Sequence, residues 1–338
     1  MRGDEYRATP TEKHVMTDQI AERYKRFARV EARNNSPLYE KLANHVSESA
    51  EALGFLGLLP RERQQPNLLF AAARLVAGTP TSTRDFDTAL RENADAIAEV
   101  MLTRTTQTNE PGRCATLLPA LAQIEGPLAL IEVGASAGLC LLPDAYGYDW
   151  GRQRLTPPET DRKTAPVFYC EASDTTPLPT DYPQVVWRAG LDLYPLDLTS
   201  DEDTAWLELL VWPEHEERRR NLRAAIRLAR LNPPRVERGD LKRDLPGLIE
   251  QAPSDATVVV FHTAVLSYVP DQMDRDDFAR TMIESGTTWL CNEAPPIFPQ
   301  FAEKAGPIDE GMFLLAANGR PIAWTGPHGQ SVRWIEGR

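Results

Sequence analysis

The chain of 338 residues is 42% hydrophobic and 25% charged, a composition typical of a globular protein with a sizeable apolar core. Its formal net charge of −12 disfavours a nucleic acid or an anionic membrane as a partner. No apolar segment is long enough to span a bilayer, and residues 1–17 lack the apolar core of a signal peptide, so we expect a cytoplasmic protein.

Helical spacing of apolar residues characterises the N-terminal third of the chain. Ser36-Pro37 is an N-cap followed by a first-turn proline, and the segment from Pro66 to Gly78 carries the same kind of start and stop signals. No strand pattern interrupts these segments. We therefore predict an all-α N-terminal domain over residues 1–125 and a second domain over residues 126–338.

A polar loop, Thr105 to Arg113, separates the fourth and fifth predicted helices. It places many hydrogen-bond donors and acceptors just upstream of the first predicted strand. An exposed surface loop is one interpretation of this polarity. In the other, the loop covers a ligand pocket, where Gln107, Asn109 and Arg113 bind the substrate and Glu110 takes part in catalysis.

The strand Leu128–Val133 and the small residues after it form the clearest ligand-binding pattern. Small residues after a buried strand let the backbone turn sharply, and the amides of the next helix can then face a polar or anionic group. The dinucleotide fingerprint G-x-G-x-x-G is absent. A tight connection without a ligand is the alternative. The candidate cofactor-binding residues in this pattern are Glu132, Gly134, Ser136 and Gly138.

A stretch rich in aromatic residues and proline separates the first predicted strand from the second. We interpret residues 144–183 as an insertion, either a flap on the substrate side or a surface loop. The second strand ends at Asp192, a candidate acceptor for ribose hydroxyls, with Asp197 in reserve. A turn or an N-cap is the other interpretation of both aspartates. Asp240 follows the short third strand.

Two later strands carry the candidate catalytic residues. The strand Thr257–Thr263 brings His262 to its carboxyl end, and Tyr268 follows as a candidate for substrate binding. Histidine titrates near neutral pH, so His262 is a candidate general base, although a histidine bonded to the backbone gives the same pattern. The next strand ends in Asn292, a substrate-binding candidate, and in Glu293, which is a catalytic candidate or a surface acid.

The C-terminal sequence pattern predicts antiparallel strands at the edge of a parallel sheet. Five strands separated by helical or long crossovers indicate parallel pairing. Asn318-Gly319 predicts a two-residue hairpin turn, which adds an antiparallel C-terminal edge. We interpret His328-Gly329 in this terminal region as structural. The four scattered cysteines form no C-x-x-C pair, which indicates buried thiols and predicts no metal site.

Several of these segments together resemble a bacterial family. Glu132–Gly138 is similar to motif I of the Rossmann-like S-adenosylmethionine (SAM) methyltransferases, with serine at the middle glycine. The whole set resembles the uncharacterised family called domain of unknown function 2332, whose members resemble SAM-dependent methyltransferases in their catalytic half. The segments that carry this resemblance are Gln107–Glu110, Glu132–Leu139, Arg188–Asp192, Trp212–Glu214 and Phe261–Thr263.

The resemblance implies a Rossmann-like methyltransferase sheet and SAM as the cofactor. It implies a place for Asp240 near the adenine amino group. Cys140 stands where asparagine is frequent in the family, so we expect no polar ligand role there.

The expected function is SAM-dependent methyl transfer to a small molecule. No N/D-P-P-Y motif is present, which disfavours nucleic acid bases and protein amides and favours a small-molecule oxygen or nitrogen acceptor. Two alternatives stay open. The first is an elimination or cyclisation enzyme of the same fold that uses His262 with Glu110 or Glu293, and the second is a ligand-binding or partner-binding protein without turnover.

Overall fold

The computed structural model describes residues 10–107, 109–157, 164–307 and 310–335. The chain forms two units. The first comprises Met1–Gln107 and Ala205–Glu216, and the second comprises Thr108–Thr204 and Glu217–Arg338. This division falls after Gln107, whereas the sequence placed a boundary at residue 125. The difference is a predicted helix, Cys114–Leu121, which the structure groups with the sheet.

In the described residues, six α-helices make up the N-terminal part of the first unit, and a short π-helical segment, Ala28–Ala32, follows the first of them. The Ser36 hydroxyl accepts a hydrogen bond from the Tyr39 amide and so caps the second helix, as its sequence predicts. The helices are α1 (Pro10–Phe27), α2 (Pro37–Glu48), α3 (Ala50–Leu56), α4 (Pro66–Ala77), α5 (Thr83–Glu92) and α6 (Ala94–Thr103).

The segment Ala205–Glu216 joins these helices through a buried arginine. Arg74 donates hydrogen bonds to the carbonyl oxygens of Leu209 (2.7 Å) and Val211 (2.9 Å). Trp206 lies in the same apolar core as Phe70. These hydrogen bonds from a buried guanidinium hold the returning segment in the first unit.

The second unit contains the remaining helices. The helix that precedes the first strand is α7 (Cys114–Leu121), and the others connect or cover strands. They are α8 (Asp201–Leu210), whose last residues belong to the first unit, α9 (Glu216–Leu231), α10 (Leu245–Ile249), α11 (Gln272–Glu284) and α12 (Pro299–Ala305).

A large, mostly parallel sheet is the centre of the second unit. Its order in the described part of the chain is β5-β12-β11-β10-β9-β8-β1-β6-β7. The five strands from β7 to β9 are parallel, and β9, β10, β11 and β12 pair antiparallel in succession. The strands are β1 (Leu128–Val133), β5 (Glu171–Ala172), β6 (Val185–Asp192), β7 (Val236–Arg238), β8 (Thr257–Thr263), β9 (Thr288–Glu293), β10 (Phe313–Ala317), β11 (Arg320–Thr325) and β12 (Ser331–Trp334).

The predicted hairpin at Asn318-Gly319 is present. The two residues have φ angles of 48° and 75°, both in the left-handed region that a tight two-residue turn requires. The hairpin of β10 and β11 is not the edge of the sheet, however, because β12 and then β5 pair beyond it. The antiparallel part is therefore wider than the sequence predicts.

The predicted insertion, residues 144–183, forms local structure of its own, and its residues 158–163 lie outside the described part of the chain. Three short strands make a second sheet in the order β3-β2-β4. Tyr148 stacks on Trp150 at this sheet, and both rings are buried. The strands are β2 (Gly147–Asp149), β3 (Arg154–Leu155) and β4 (Val167–Tyr169).

The two faces of the large sheet differ in chemistry. Side chains alternate along a strand, so Ile131 and Val133 of β1 share one face and Glu132 points to the other. The face with Ile131 packs against apolar residues of α10, α11 and α12. Residues paired in register share a face, so Asp192, Thr263 and Asn292 lie on the face with Glu132, whereas His262 and Glu293 lie on the face with Ile131. Within the described residues, no helix has the length and apolar character needed to cross a membrane.

Candidate functional site

The carboxyl ends of β1, β6, β8 and β9 lie at the same edge of the sheet. Most of the predicted site residues lie at these strand ends or in the loops that follow them. The loop after β1 turns through three left-handed residues, with φ of 71° at Gly134, 51° at Ser136 and 74° at Gly138. The Gly134 amide donates to the carbonyl oxygen of Leu191 in β6 (2.8 Å). We call the segment from Gly134 to Gly138 the glycine loop.

Asp192 at the end of β6 is hydrogen-bonded to the glycine loop. Its Oδ2 accepts from the Ser136 amide and its Oδ1 from the Tyr194 amide, both at 2.8 Å. These bonds hold Ser136 in its left-handed conformation.

The space beside two of the glycines is filled by the protein itself. An ideal Cβ at Gly134 would lie 2.7 Å from Cγ1 of Val265 and nearer still to its other methyl group. A Cβ at Gly138 would lie 2.8 Å from Cγ of Pro234. Internal packing and positive φ therefore account for both glycines. The Val265 side chain lies directly beside Gly134.

On the side that faces β6, the glycine loop has a buried polar group and exposed neighbouring side chains. The hydroxyl oxygen of Ser136 is buried and has no hydrogen-bond partner among the described residues. Leu193 and Tyr194, directly after Asp192, are 55% and 56% exposed. An unsatisfied buried hydroxyl and exposed apolar side chains beside a strand-end carboxylate are features of a ligand site.

Asp240, the third predicted acid, stabilises a turn. Its Oδ1 accepts hydrogen bonds from the amides of Lys242 (2.9 Å) and Arg243 (3.3 Å). Its own amide donates to Asp244. The Gly239 amide donates to the carbonyl oxygen of Asp192, which brings the start of this turn to the end of β6.

Asn109, in the polar loop upstream of β1, is buried and holds the glycine loop. Asn109 donates from Nδ2 to the Ala135 carbonyl (3.1 Å) and accepts at Oδ1 from the Leu139 amide (2.9 Å). Cys140 lies beneath it, with its thiol 3.3 Å from the Glu110 carbonyl oxygen. Gln107 is the last residue of the first unit.

Arg113 connects two strand ends. Its Nη1 donates to the carbonyl oxygen (3.0 Å) and the hydroxyl (3.2 Å) of Thr263 at the end of β8. Its Nε donates to the carbonyl oxygen of Pro327 in the turn after β11 (2.8 Å). The guanidinium is buried and lies over the Phe313 ring of β10. In this structure Arg113 therefore acts as a link between strands.

Glu110 contacts a residue that sequence reasoning missed. Its Oε2 accepts from Nε (2.8 Å) and Nη2 (2.6 Å) of Arg218 in α9, and its Oε1 accepts from the Gly112 amide (3.2 Å). The run Arg218–Arg220 predicts pairing with acids on its own helix. Glu110 and Arg218 are 108 residues apart, and no local pattern could have indicated their contact.

The structure brings His262 and Glu293 together. Nδ1 of His262 lies 2.7 Å from Oε1 of Glu293, and this same oxygen accepts from the amides of Val265 (2.9 Å) and Leu266 (3.2 Å). His262 is 0% exposed and its ring packs against Phe278 and Trp289. Its Nε2 has no hydrogen-bond partner in the described part of the chain.

The two remaining substrate-binding candidates differ in exposure. Tyr268 is exposed at the end of the segment that follows β8. Asn292 is buried, and its Oδ1 accepts a hydrogen bond from the Thr325 hydroxyl of β11 (2.7 Å). The Asn292 carbonyl oxygen accepts from the amide of Ala264, which has a left-handed φ of 57°. Asn292 thus connects β9 to β11 and to the end of β8.

Glu132 is buried on the face of β1 opposite Ile131 and Val133. Its Oε2 has no partner among the residues that the structure describes. Burial raises the pKa of this carboxyl well above its usual value, Cys140 and Asp192 raise the pKa further, and Arg113 lowers it. Burial therefore favours the neutral form of Glu132 more than it would be favoured in an exposed carboxyl group.

We expect Glu132→Gln to be more stable than the wild type at neutral and alkaline pH. A carboxyl whose pKa is higher in the folded chain than in the unfolded chain stabilises the fold fully below the unfolded pKa and loses that contribution as pH rises. Each unit of difference corresponds to about 1.4 kcal/mol. Denaturant unfolding at several pH values should show a difference in unfolding free energy between Glu132→Gln and the wild type. This difference should shrink as the pH falls to 4.5, the ordinary pKa of a glutamate. A difference that does not vary with pH would contradict this account.

No group of three or more histidine, cysteine, aspartate or glutamate side chains is arranged to hold a metal ion in the described ranges. A family model described as "Uncharacterized protein conserved in bacteria (DUF2332)" matches residues 21–334. No curated protein and no solved structure matches the chain. The family match spans both units and every candidate site residue.

Proposed function

The chain belongs to the family of uncharacterized proteins conserved in bacteria (DUF2332), and we propose that its second unit binds SAM and transfers the methyl group to a small-molecule oxygen or nitrogen acceptor. The proposal is supported by the position of β1 in the sheet. Among the parallel strands, β6 and β7 lie on one side of β1, and β8 and β9, which come later in the chain, lie on the other side. Ligands of open α/β sheets bind beyond the carboxyl ends of the strands at such a reversal.

The observation that carries the proposal is the junction of Asp192 and Ser136. A strand-end carboxylate is bonded to the amide of a serine whose buried hydroxyl has no partner among the described residues. A vicinal diol such as that of ribose offers a donor to the carboxylate and an acceptor or donor to the hydroxyl. The residues present therefore fit a nucleoside.

In this proposal the nucleoside lies on the β6 side of the glycine loop, because Val265 fills the space over Gly134. Asp192 and Ser136 hold the ribose hydroxyls. Leu193 and Tyr194 give the adenine ring an exposed apolar surface. Asp240 is the proposed partner of the adenine amino group. The bound cofactor would supply an electrophilic methyl group on a sulfonium.

The chain's own contribution is to hold the acceptor and to remove its proton. His262, Glu293 and Glu110 stay the predicted catalytic residues from the sequence. Contact between His262 and an acceptor requires the segment after β8 to move, because the ring is buried. Among the substrate-binding candidates, Tyr268 is the exposed one.

Calorimetric titration with S-adenosylhomocysteine tests this proposal. We expect the wild type to bind, and Ser136→Ala to bind more weakly by about 0.5–1.5 kcal/mol, which is the net value of one hydrogen bond. Because the Ser136 hydroxyl has no partner among the described residues, its removal should not lower the stability of the ligand-free protein.

Asp192→Asn should lose about 1.5–3 kcal/mol of affinity, the range for a hydrogen bond to a charged group. The matched control is Asp197→Asn, which changes an exposed acid bonded to Thr199 on the same connection and should leave affinity unchanged. Absence of binding by the wild type at millimolar ligand would overturn the proposal. It would leave the elimination or cyclisation enzyme and the non-catalytic binding protein as the alternatives.

A further inference from the structure

The helix α9 concentrates positive charge on an otherwise acidic chain. It has the sequence EERRRNLRAAIRLARL, in which six arginines and two glutamates give a net charge of +4, whereas the whole chain has a net charge of −12. The two glutamates, Glu216 and Glu217, are the first residues of the helix. The later turns of α9 therefore carry arginine without any acid on the same helix.

Four of these arginines form one exposed line along the helix, which we call the arginine stripe. They are spaced by three, four and three residues, and this spacing places side chains on the same side of an α-helix. All four are exposed, whereas Leu222, Ala225 and Ala229 are buried. From its first to its last residue the stripe rises about 15 Å along the helix. The stripe consists of Arg220, Arg223, Arg227 and Arg230.

The chain itself supplies few acids to the arginine stripe. Arg230 donates to Oδ1 of Asp201 (2.8 Å), an acid whose side chain is 95% exposed, and Arg223 also takes part in an interaction within the chain. No ion pair in the described part of the chain involves Arg220 or Arg227. Like charges three and four residues apart destabilise a helix. An acid from outside the chain would remove this repulsion.

The charge of the remaining surface indicates which kind of acid fits the arginine stripe. A nucleic acid carries phosphates far beyond a length of about 15 Å, and it would bring them close to the acidic remainder of the chain. An anionic membrane would do the same, and the apolar side of α9 is buried and unable to insert into lipid. A short acidic segment of a protein can match the stripe in length without this repulsion.

A helical partner also matches the arginine stripe in periodicity. Acidic side chains three and four residues apart on a helix lie on one side, with the same spacing as the arginines. Each carboxylate can accept two parallel N–H bonds from one guanidinium, an arrangement that gives geometric specificity as well as charge neutralisation. Two helices that lie side by side can therefore pair carboxylates and guanidinium groups along the full stripe.

We propose that the arginine stripe of α9 is a docking surface for an acidic helical segment of a partner protein. The carboxylates on one side of that segment bind Arg220 and Arg227, and the other two arginines of the stripe lie on the same side of α9. The inference goes beyond the proposed function and does not depend on it, because the stripe contains none of the candidate cofactor-binding, substrate-binding or catalytic residues.

Fluorescence anisotropy with two labelled peptides tests the docking surface. Both peptides contain the same numbers of alanine and glutamate residues and are about 20 residues long, which is enough for a helix in water. In the one-sided peptide the glutamates alternate between three- and four-residue spacing, and in the scattered peptide they surround the helix. We expect the wild type to bind the one-sided peptide several-fold more tightly, and this binding to weaken as the salt concentration rises.

A pair of double variants locates the binding surface. Arg220→Gln with Arg227→Gln should weaken binding of the one-sided peptide by about tenfold, the combined effect of two exposed ion pairs. The matched control, Arg84→Gln with Arg280→Gln, removes the same charge from exposed positions of α5 and α11 and should leave the affinity unchanged. Both double variants should retain the wild-type affinity for S-adenosylhomocysteine, which separates this inference from the proposed function.

Phenylglyoxal, which modifies exposed arginine side chains, gives a measurement that needs no variant. In the wild type the bound one-sided peptide should slow modification at Arg220 and Arg227, and should leave Arg84 and Arg280 unchanged, as measured by mass spectrometry of the digested protein. This result decides the question if the double variant on α9 does not fold.

Three results would overturn the inference. Equal affinity of the wild type for the two peptides, or equal weakening in both double variants, would leave only a general effect of charge. Equal protection of all four arginines from phenylglyoxal would do the same. A single-stranded oligonucleotide of the same charge that binds α9 more tightly than the one-sided peptide would replace the acidic protein partner with a nucleic acid.

Discussion

Gly134→Ala is expected to destabilise the second unit by roughly 2–6 kcal/mol. The methyl group would overlap both methyl groups of Val265, and overpacking of this kind costs about 1–3 kcal/mol. The φ of 71° adds about 1–3 kcal/mol, because residues with a Cβ rarely adopt it. Urea unfolding followed by circular dichroism measures the loss.

Two variants separate the steric contribution from the backbone contribution. Gly126 has a φ of 80° and a Cβ there would meet nothing within 4 Å among the described residues, so Gly126→Ala measures the conformational cost alone. Val265→Ala removes both methyl groups that Gly134→Ala would meet, and should recover about 1–2 kcal/mol in the double variant. If Gly134→Ala costs no more than Gly126→Ala, or if Val265→Ala recovers nothing, the packing account is wrong.

This prediction changes how the most recognisable motif of the chain is understood. A glycine between a strand and a polar turn suggests close approach of a ligand. At Gly134 the group that approaches is Val265, which is 131 residues further along the chain than Gly134 and carries no local signal of that contact. The sequence thus identifies where small residues are required, and the structure identifies what occupies the space.

Elements with strong local periodicity were predictable. The apolar run of β8 and the hairpin turn at Asn318-Gly319 are encoded by adjacent residues, and the structure has both. The two strands beyond the hairpin, β12 and β5, were not predictable, because they have four and two residues, and such short strands are stable only when paired. The sequence also did not predict that α7 belongs with the sheet, because its apolar residues could pack in the core of either unit.

For the candidate site, residue types were predictable and their contacts were not. The position of Asp192 at a strand end follows from the pattern of β6, but its two backbone hydrogen bonds depend on the path of the glycine loop. The pairing of Glu110 with Arg218 and the approach of His328 to Glu110 join segments far apart in the chain. Such contacts depend on the topology of the sheet.

Glu293→Ala is expected to destabilise the second unit by about 3–5 kcal/mol, the usual cost of removing one partner from a buried hydrogen-bonded pair. One oxygen of Glu293 accepts from His262 and from the amides of Val265 and Leu266. Alanine leaves all three without an acceptor. Glu293→Gln retains a carbonyl oxygen and should lose much less, and the exposed control Glu284→Ala should stay within about 0.5 kcal/mol of the wild type.

Amide hydrogen exchange at Val265 and Leu266 gives an independent measurement. These amides should be protected in the wild type and in Glu293→Gln, and should exchange rapidly in Glu293→Ala. Equal losses of stability and of protection in the alanine and glutamine variants would mean that the negative charge, rather than an acceptor at this position, holds the segment.

The two predictions are coupled, because the backbone that Glu293 holds carries the side chain that covers Gly134. Once Glu293→Ala releases the Val265 amide, Val265 can move away from a methyl group at position 134. The double variant Gly134→Ala with Glu293→Ala should therefore cost less than the sum of the single variants, with a coupling of about 0.5–3 kcal/mol. Simple additivity would show that Val265 keeps its place by packing alone, and that the hydrogen bond from its amide to Glu293 does not control its position.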